Sequence, residues 1–289
     1  MRSSLHTTSR GFGQQGLLIL ALTLFVPRIT VAQTPSPLQE WQYSSGIILQ
    51  RLFQPDVPEW STVLGVGAEN KPLYDGAERY RVEAGPVINI RYEDIAFASV
   101  GEGLGVNIVR GDNYRAGIAL GYDLGREASD DLDHLRGLGD IGRAPVVKLF
   151  ASYVISKEFP LVLRADLRQF VGGADGAIGD IGAYMPLPGS SKTLFMFMGP
   201  SVTFADHLYL QKEFGVTPAQ ATASGYAQYE THAGLNAAGL GFSATRFVSA
   251  HWLISIDTAI DHLLGSAGQS PLIQRKVQHA ISLSVEHIS

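Results

Sequence analysis

The stretch FGVTPAQATASGYAQYETHAGLNAAGLGFSATRFV (Phe214–Val248) changes character partway along. It begins as a small-residue, polar segment with almost no side chains of the kind that form a core. From about Leu235 it alternates: Leu240, Phe242 and Ala244 occupy even positions, whereas glycine, serine and threonine occupy odd positions. Because successive strand residues point to opposite faces, the pattern predicts a long loop followed by a strand with one apolar and one polar face.

The same alternation recurs from residue 61 onward, in segments bounded by turn residues. In 161–171, for example, Leu163 and Leu167 alternate with the charged residues Arg164, Asp166 and Arg168. The alternating segments are 61–69, 81–91, 95–100, 103–109, 114–124, 146–156, 161–171, 177–187, 192–204, 235–247, 250–261 and 278–288. They predict twelve strands, with ten as the alternative. Whether 95–109 forms one strand or two is a separate question that the sequence leaves open.

Alternation alone does not say which face points outward, but segment and connection lengths do. Most segments are close to the roughly 9–11 residues that a tilted strand needs to cross a bilayer. The connections alternate between short ones, such as 92–94 and 248–249, and long ones, such as 125–145 and 205–234, and only 101–102 and 172–176 break the trend. Short turns at one end and long loops at the other are typical of outer-membrane barrels. The sequence therefore predicts an all-β fold, an antiparallel transmembrane β-barrel with its apolar faces toward lipid.

The N-terminus has the features of a secretory signal. An apolar run, GLLILALTLFV (Gly16–Val26), is followed by Pro27 and by the small-residue signal TVA (Thr30–Ala32). The run is too short for a transmembrane helix, which needs about 20 residues. We predict a signal peptide over 1–32, a periplasmic N-terminal segment over 33–60 and the outer-membrane barrel over 61–289.

Composition excludes several classes of function. The net charge is −5, and no basic stripe is available to neutralise phosphates, so we expect no nucleic-acid partner. The chain has no cysteine, which rules out disulfides, thiolate zinc sites and cysteine catalysis. It has 32 glycines, where average usage would give about 20 in a chain of this length.

Motifs that could carry chemistry are weak. GEGLGV (Gly101–Val106) resembles a dinucleotide-binding loop, but it lacks the strand and helix that such a loop requires, so a strand connection is favoured. EASDDLDHL (Glu127–Leu135) is acidic but lacks the spacing of a calcium loop. No G-x-S-x-G nucleophile elbow is present. We therefore predict no catalytic, cofactor-binding or metal-binding residues, and no cofactor.

Charged residues on the polar faces are candidates to line the lumen. They are Asp123, Arg164, Asp166, Arg168, Asp180, Asp257 and Asp261. One interpretation is a constriction that selects permeating solutes. The other, which we favour, is a set of ion pairs that plugs and stiffens a small barrel.

Several stretches carry a resemblance to a known family. They are GVGAENKPLYDG (Gly65–Gly76), GYDLGREASDDLDHLRGLGDI (Gly121–Ile141), LRADLRQFVGG (Leu163–Gly173) and FGVTPAQATASGYAQYETHAGL (Phe214–Leu235). On these residues the chain resembles the MltA-interacting protein (MipA)/OmpV outer-membrane proteins over roughly 61–288. The resemblance implies an outer-membrane β-barrel. Some members of the family act as scaffolds that bring a murein transglycosylase near a murein synthase, and others are linked to adhesion, immune recognition or antibiotic susceptibility.

The resemblance and the alternation together predict a non-enzymatic, monomeric scaffolding barrel of the outer membrane. Its expected partners are outer-membrane lipid, a murein transglycosylase and a murein synthase. Two alternatives remain open at this point. One is a channel for small solutes, and the other is a surface adhesin that acts through the external loops 125–145 and 205–234.

Overall fold

The computed structural model describes residues 59–156, 158 and 160–289. In this part of the chain, twelve antiparallel strands form a closed barrel in which sequence neighbours pair and the last strand pairs with the first. The strands are β1 Trp60–Pro72, β2 Tyr80–Tyr92, β3 Ala96–Ser99, β4 Gly103–Arg110, β5 Tyr114–Asp123, β6 Ala144–Val154, β7 Val162–Phe170, β8 Ala177–Pro186, β9 Leu194–Ala205, β10 Gly234–Phe247, β11 Trp252–Leu263 and β12 Val277–Ile288.

The predicted antiparallel barrel of twelve strands is confirmed. The ambiguous stretch 95–109 forms two strands, β3 and β4, joined by a turn at 100–102. That turn contains Gly101 and Glu102 of the glycine-rich motif, and the rest of the motif, Gly103–Val106, begins β4. The predicted signal peptide 1–32 and the part of the predicted periplasmic segment up to residue 58 lie outside the described residues.

The apolar faces of the strands point outward. Leu120, Leu163 and Leu240 are exposed, whereas Arg164 and Arg168, on the opposite face of their strand, are buried inside the barrel. A soluble sandwich has the opposite arrangement, with apolar side chains enclosed and charged side chains in water. Apolar side chains outside and charged side chains within are what a membrane-spanning barrel requires, because its strands contact acyl chains.

Aromatic residues, most of them exposed, lie around the barrel at the end where β1 begins and β12 ends. Trp60 packs on Tyr92 with ring centroids 4.9 Å apart, Tyr114 pairs with Tyr153 across β5 and β6, and Trp252 begins β11. Such a girdle is typical of strands that cross the interface between acyl chains and water. It marks the level at which the wall leaves the membrane at this end, which we call the terminal end.

The connections differ in length between the two ends. At the terminal end they are 93–95, 111–113, 155–161, 187–193 and 248–251. At the other end, which we call the loop end, they are 73–79, 100–102, 124–143, 171–176, 206–233 and 264–276. The longest connections are therefore all at the loop end.

The loop-end connections contain short helices that the alternation does not predict. They are a 3₁₀ turn Ala128–Asp131 and the helices α1 Leu132–Leu135, α2 His207–Phe214, α3 Pro218–Ser224 and α4 Gly265–Gln269. Local capping explains two of them. Asp206 Oδ1 accepts a hydrogen bond from Tyr209 N (2.8 Å) at the start of α2, and Thr217 and Gln220 form a capping box around Pro218 in α3. In the described residues, no helix has the length and apolarity to cross a membrane.

These connections pack together over the mouth of the barrel and form what we call the loop cap, comprising 73–79, 124–143, 206–233 and 264–276. One apolar cluster joins the cap to the inner strand ends and includes Phe170, Ile178, Leu210 and Phe214. A second lies within the cap itself and includes Tyr74, Leu135, Leu138, Val216 and Leu272. The sequence predicted long external loops here, and these apolar contacts make them a packed layer.

Candidate functional site

Charged side chains from several strands meet inside the barrel and form what we call the charged belt: Glu102, Arg164, Asp166, Arg168 and Asp180. Arg168 is fully buried, and its Nε lies 3.3 Å from Asp166 Oδ1. Its guanidinium also contacts Asp180, which accepts a hydrogen bond from Thr203 Oγ1 as well. β7 supplies three members of the belt and β8 supplies Asp180, so ion pairs link these two adjacent strands.

A second ion pair of the belt extends across the lumen. Arg164 Nη2 on β7 lies 3.3 Å from Glu102 Oε1 in the turn between β3 and β4, and both side chains are buried. The sequence did not predict Glu102 as a lumen residue, because it belongs to a turn rather than to an alternating face. Lys148 on β6 was also missed, although its place on the polar face of 146–156 could have revealed it.

The other predicted lumen charges lie outside the belt. Asp257 on β11 pairs in register with Ser243 of β10, and Asp261 pairs in register with Gly239 and Gln278. Asp123 ends β5 at the loop end, where its Oδ2 accepts a hydrogen bond from Gly125 N (3.1 Å). The structure thus brings Arg164, Asp166, Arg168 and Asp180 into one belt. Asp123 interacts electrostatically with Arg168, and Asp261 interacts with Asp180, so these two lie near the belt, whereas Asp257 lies apart from it.

Within the loop cap lies a second group of ionisable side chains, which the sequence did not single out. Arg126 Nη1 donates a hydrogen bond to Glu213 O (2.8 Å) and lies 3.6 Å from Glu213 Oε2. Burial raises the pKa of Glu213 to about 7 and the pKa of Asp75 to about 6, and in both cases Arg126 offsets part of the rise. Both carboxyls therefore titrate close to neutral pH.

We predict that the loop cap loosens as pH rises through 7. The ordinary pKa of Glu213 is 4.5 and its folded pKa is about 7, so the folded cap holds the proton more tightly than the open cap. The contribution of the Glu213 carboxyl to the stability of the closed cap is fully present below pH 4.5 and is lost as pH rises through 7. Asp123, Asp75 and Tyr209 also interact with this carboxyl, and Asp123 and Asp75 reinforce the rise of its pKa. Hydrogen exchange of 206–233, corrected for intrinsic rates, should be about tenfold faster at pH 8 than at pH 5.

Two variants test this pH dependence. Glu213→Gln should remove most of it, because the amide stays neutral over the whole range. Glu127→Gln alters an exposed cap carboxylate and should retain the wild-type profile. An unchanged pH profile in Glu213→Gln would show that another group controls the cap.

Apolar side chains also occupy the lumen near the terminal end. Val154, Val162, Tyr184, Phe195 and Phe197 form a buried cluster, with Phe247 packed against it. In the described residues, no group of three or more histidine, aspartate or glutamate side chains is placed to hold a metal ion. The interior therefore contains ion pairs and packed apolar groups at successive levels between the cap and the terminal end.

Comparison with known proteins adds a family match. The model of the family described as MltA-interacting protein MipA matches residues 64–288. No curated protein matches the chain at a significant level.

Solved structures with a similar fold include three barrels. The CymD monoaromatic hydrocarbon channel has 9% identity and a TM-score of 0.42, with 89% of this chain and 94% of that chain covered. The outer membrane channel DcaP of Acinetobacter baumannii has 6% identity and a TM-score of 0.38, with 81% and 97% covered. OmpT of Vibrio cholerae has 8% identity and a TM-score of 0.37, with 81% and 99% covered.

Proposed function

The chain belongs to the MltA-interacting protein MipA family, and on that premise we propose that this outer-membrane barrel is a non-enzymatic scaffold that holds murein-remodelling enzymes at its terminal end. The observation that carries the proposal is the obstructed interior. Arg164 and Glu102 pair across the lumen, and the loop cap packs over its mouth. An obstructed interior favours a barrel that binds proteins at its surface over one that conducts solutes through its lumen.

The terminal end offers a surface for such partners. Beyond the aromatic girdle, the connections 187–193 and 248–251 are neighbours, because Arg246 pairs in register with Leu194. Lys192, Arg246 and Val248 are exposed there and combine positive charge with an apolar side chain. A soluble murein enzyme with an acidic or apolar patch would meet this surface from the periplasm.

We expect the barrel to capture a murein transglycosylase and a murein synthase after crosslinking in cell envelopes. The triple variant Lys192→Glu, Arg246→Glu, Val248→Asp should reduce the captured amount about tenfold, because it reverses the charge and removes the apolar group. Lys212→Glu reverses an exposed charge in the loop cap and should leave capture unchanged. Quantitative mass spectrometry of the crosslinked material provides the measurement.

Two outcomes would count against the scaffold. Capture that depends on Lys212 but not on the terminal-end residues would indicate a partner bound at the cap, as an adhesin requires. Stable single-channel conductance in planar bilayers, altered by Arg164→Ala, would instead support a small-solute channel.

A further inference from the structure

The wall of the barrel is incomplete beside the short hairpin formed by β3 and β4. β3 has 4 residues and β4 has 8, whereas β2 has 13 and β5 has 10. β2 pairs with β3 only over Asn89–Tyr92, and pairing between β4 and β5 goes no further toward the loop end than Leu120. Among the described residues, Val82–Pro86 of β2 therefore has a strand partner on the β1 side alone.

This gap has a frame on all four sides, and we call it the wall window. Its sides are β2 and the last residues of β5, and its lower edge is the turn 100–102. Its upper edge is the loop cap, which one ion pair ties to β2, while a second pair, at the residue before β2, lies within the cap. Arg81 Nη1 lies 3.3 Å from Asp130 Oδ2, and Arg79 Nη1 lies 3.4 Å from Asp131 Oδ1.

Nothing in the part of the chain that the structure describes closes the window through the wall. Beyond the hairpin tip, the two positions between β2 and β5 that β3 and β4 would fill are empty of strand in the described residues. Three interstrand spacings then separate the axes of β2 and β5, which is about 14 Å. Each residue of Val82–Pro86 is exposed, on the outer and the inner face alike. Gly85 points inward, and a Cβ added there would meet no atom within 4 Å. The inward side chain of Glu83 is 43% exposed, so solvent reaches the inner side of the window.

The window opens at the depth of the lipid-facing side chains. In register with Pro86 lie Val66 of β1 and Val285 of β12, and both are exposed apolar residues of the outer face. Unpaired backbone is tolerated at membrane depth only where it lines a protein-enclosed or water-filled space. Because solvent reaches the inner side of the window, water there can hydrogen-bond the unpaired backbone groups of Val82 and Ala84, which satisfies that condition.

Pro86 argues against a second β-strand as the occupant. Ile88 O accepts a hydrogen bond from Val100 N (3.1 Å), so Ile88 directs its backbone groups toward the β3 side. Because backbone groups alternate along an antiparallel strand, Val82, Ala84 and Pro86 direct theirs toward the window. Proline has no N–H to donate there, and proline on an edge is a common device against strand addition.

We propose that the wall window is a lateral binding site for a small single-chain amphiphile dissolved in the membrane. Its apolar chain would stay among the acyl chains outside β2. Its polar end would reach the exposed backbone of Val82 and Ala84 and the solvent-accessible space beside Glu83. The loop cap covers the mouth above, so the window provides access to this part of the lumen from the side. The proposal is independent of the scaffold function.

Introduced thiols test the site, because the chain has no cysteine of its own. Gly85→Cys places a thiol in the window. Ser255→Cys is the matched control. Gly85 pairs with Gly67, Gly67 with Ser284 and Ser284 with Ser255, so the two positions lie at the same level of the barrel. Ser255 also faces inward, but it is buried in a fully paired part of the wall. Each folded variant is reconstituted in liposomes and treated with N-dodecylmaleimide, which partitions into the membrane, and adducts are measured by mass spectrometry.

We expect the Gly85→Cys thiol to react at least about tenfold faster than the Ser255→Cys thiol, since only the former borders an opening to lipid. Dodecanoate, as a competing single-chain amphiphile, should slow that reaction with saturation, whereas added bilayer phospholipid should not. Glu83→Cys, in the same window, serves in place of Gly85→Cys if that variant does not assemble. Equal rates at the two positions, or a reaction that dodecanoate does not slow, would overturn the proposal.

Discussion

Arg168→Met is expected to destabilise the barrel by about 3–5 kcal/mol, because breaking a buried ion pair leaves its charged partners uncompensated. Asp166 and Asp180 both contact this guanidinium within the charged belt, and Arg168 itself is fully buried. Methionine retains much of the side-chain volume, so the loss would come mainly from charge and hydrogen bonding. Urea unfolding in detergent micelles, followed by tryptophan fluorescence and by heat-modified mobility on gels, measures the change.

Two further variants isolate the cause. Arg143→Met removes a half-exposed arginine whose Nη2 lies 3.9 Å from Glu127 Oε1, and it should change stability by less than about 0.5 kcal/mol. Adding Asp180→Asn to Arg168→Met should restore part of the loss, since one uncompensated charge is removed. If Arg168→Met and Arg143→Met had equal effects, the belt would not be what stabilises the interior.

Leu240→Arg is expected to cost about 2–4 kcal/mol, the range found for arginine on the lipid face of a barrel near the bilayer midplane. Leu240 is 48% exposed near the middle of β10. Leu208 on helix α2 is 54% exposed, but it belongs to the loop cap, outside the strands. Leu208→Arg should therefore change stability by less than about 0.5 kcal/mol.

The two leucines are about equally exposed, but we assign Leu240 to lipid and Leu208 to water. Folding into liposomes, scored by protease protection and by heat-modified mobility, should be impaired in Leu240→Arg and normal in Leu208→Arg. If both variants folded normally, the outer face of β10 would be in water rather than in lipid.

The strands could be predicted from the sequence because each contains its own signal. In β7 the alternation of Leu163 and Leu167 with Arg164 and Arg168 needs no knowledge of the rest of the chain. The short strand β3 was ambiguous, since four residues give too little alternation to separate one strand from two.

The helices of the loop cap had a local signal that alternation does not detect. Thr217, Pro218 and Gln220 match a capping box with proline at the first helical position, which is readable in the sequence. The packing of the cap was not readable, because its apolar clusters join residues far apart in the chain, such as Tyr74 and Leu272.

The candidate site was predicted in part for a similar reason. The inward charges of β7 and β8 follow from alternation, but their pairing depends on strand register. Glu102 and Glu213 lie in connections, so no periodic pattern marks them. The wall window arises from the length of one hairpin relative to its neighbours, and that length becomes visible only when the pairing of β2, β3, β4 and β5 is known.

The most direct test of the membrane orientation is a nitroxide scan of β10 from Gly239 to Ala244 in liposomes. Each position is labelled in turn through an introduced cysteine, and collisions with oxygen, which concentrates in lipid, are measured by electron paramagnetic resonance. Oxygen accessibility should peak at positions 240, 242 and 244 and fall at 239, 241 and 243. Peaks at the odd positions, or high accessibility to a water-soluble nickel chelate at the even ones, would contradict the membrane-spanning barrel.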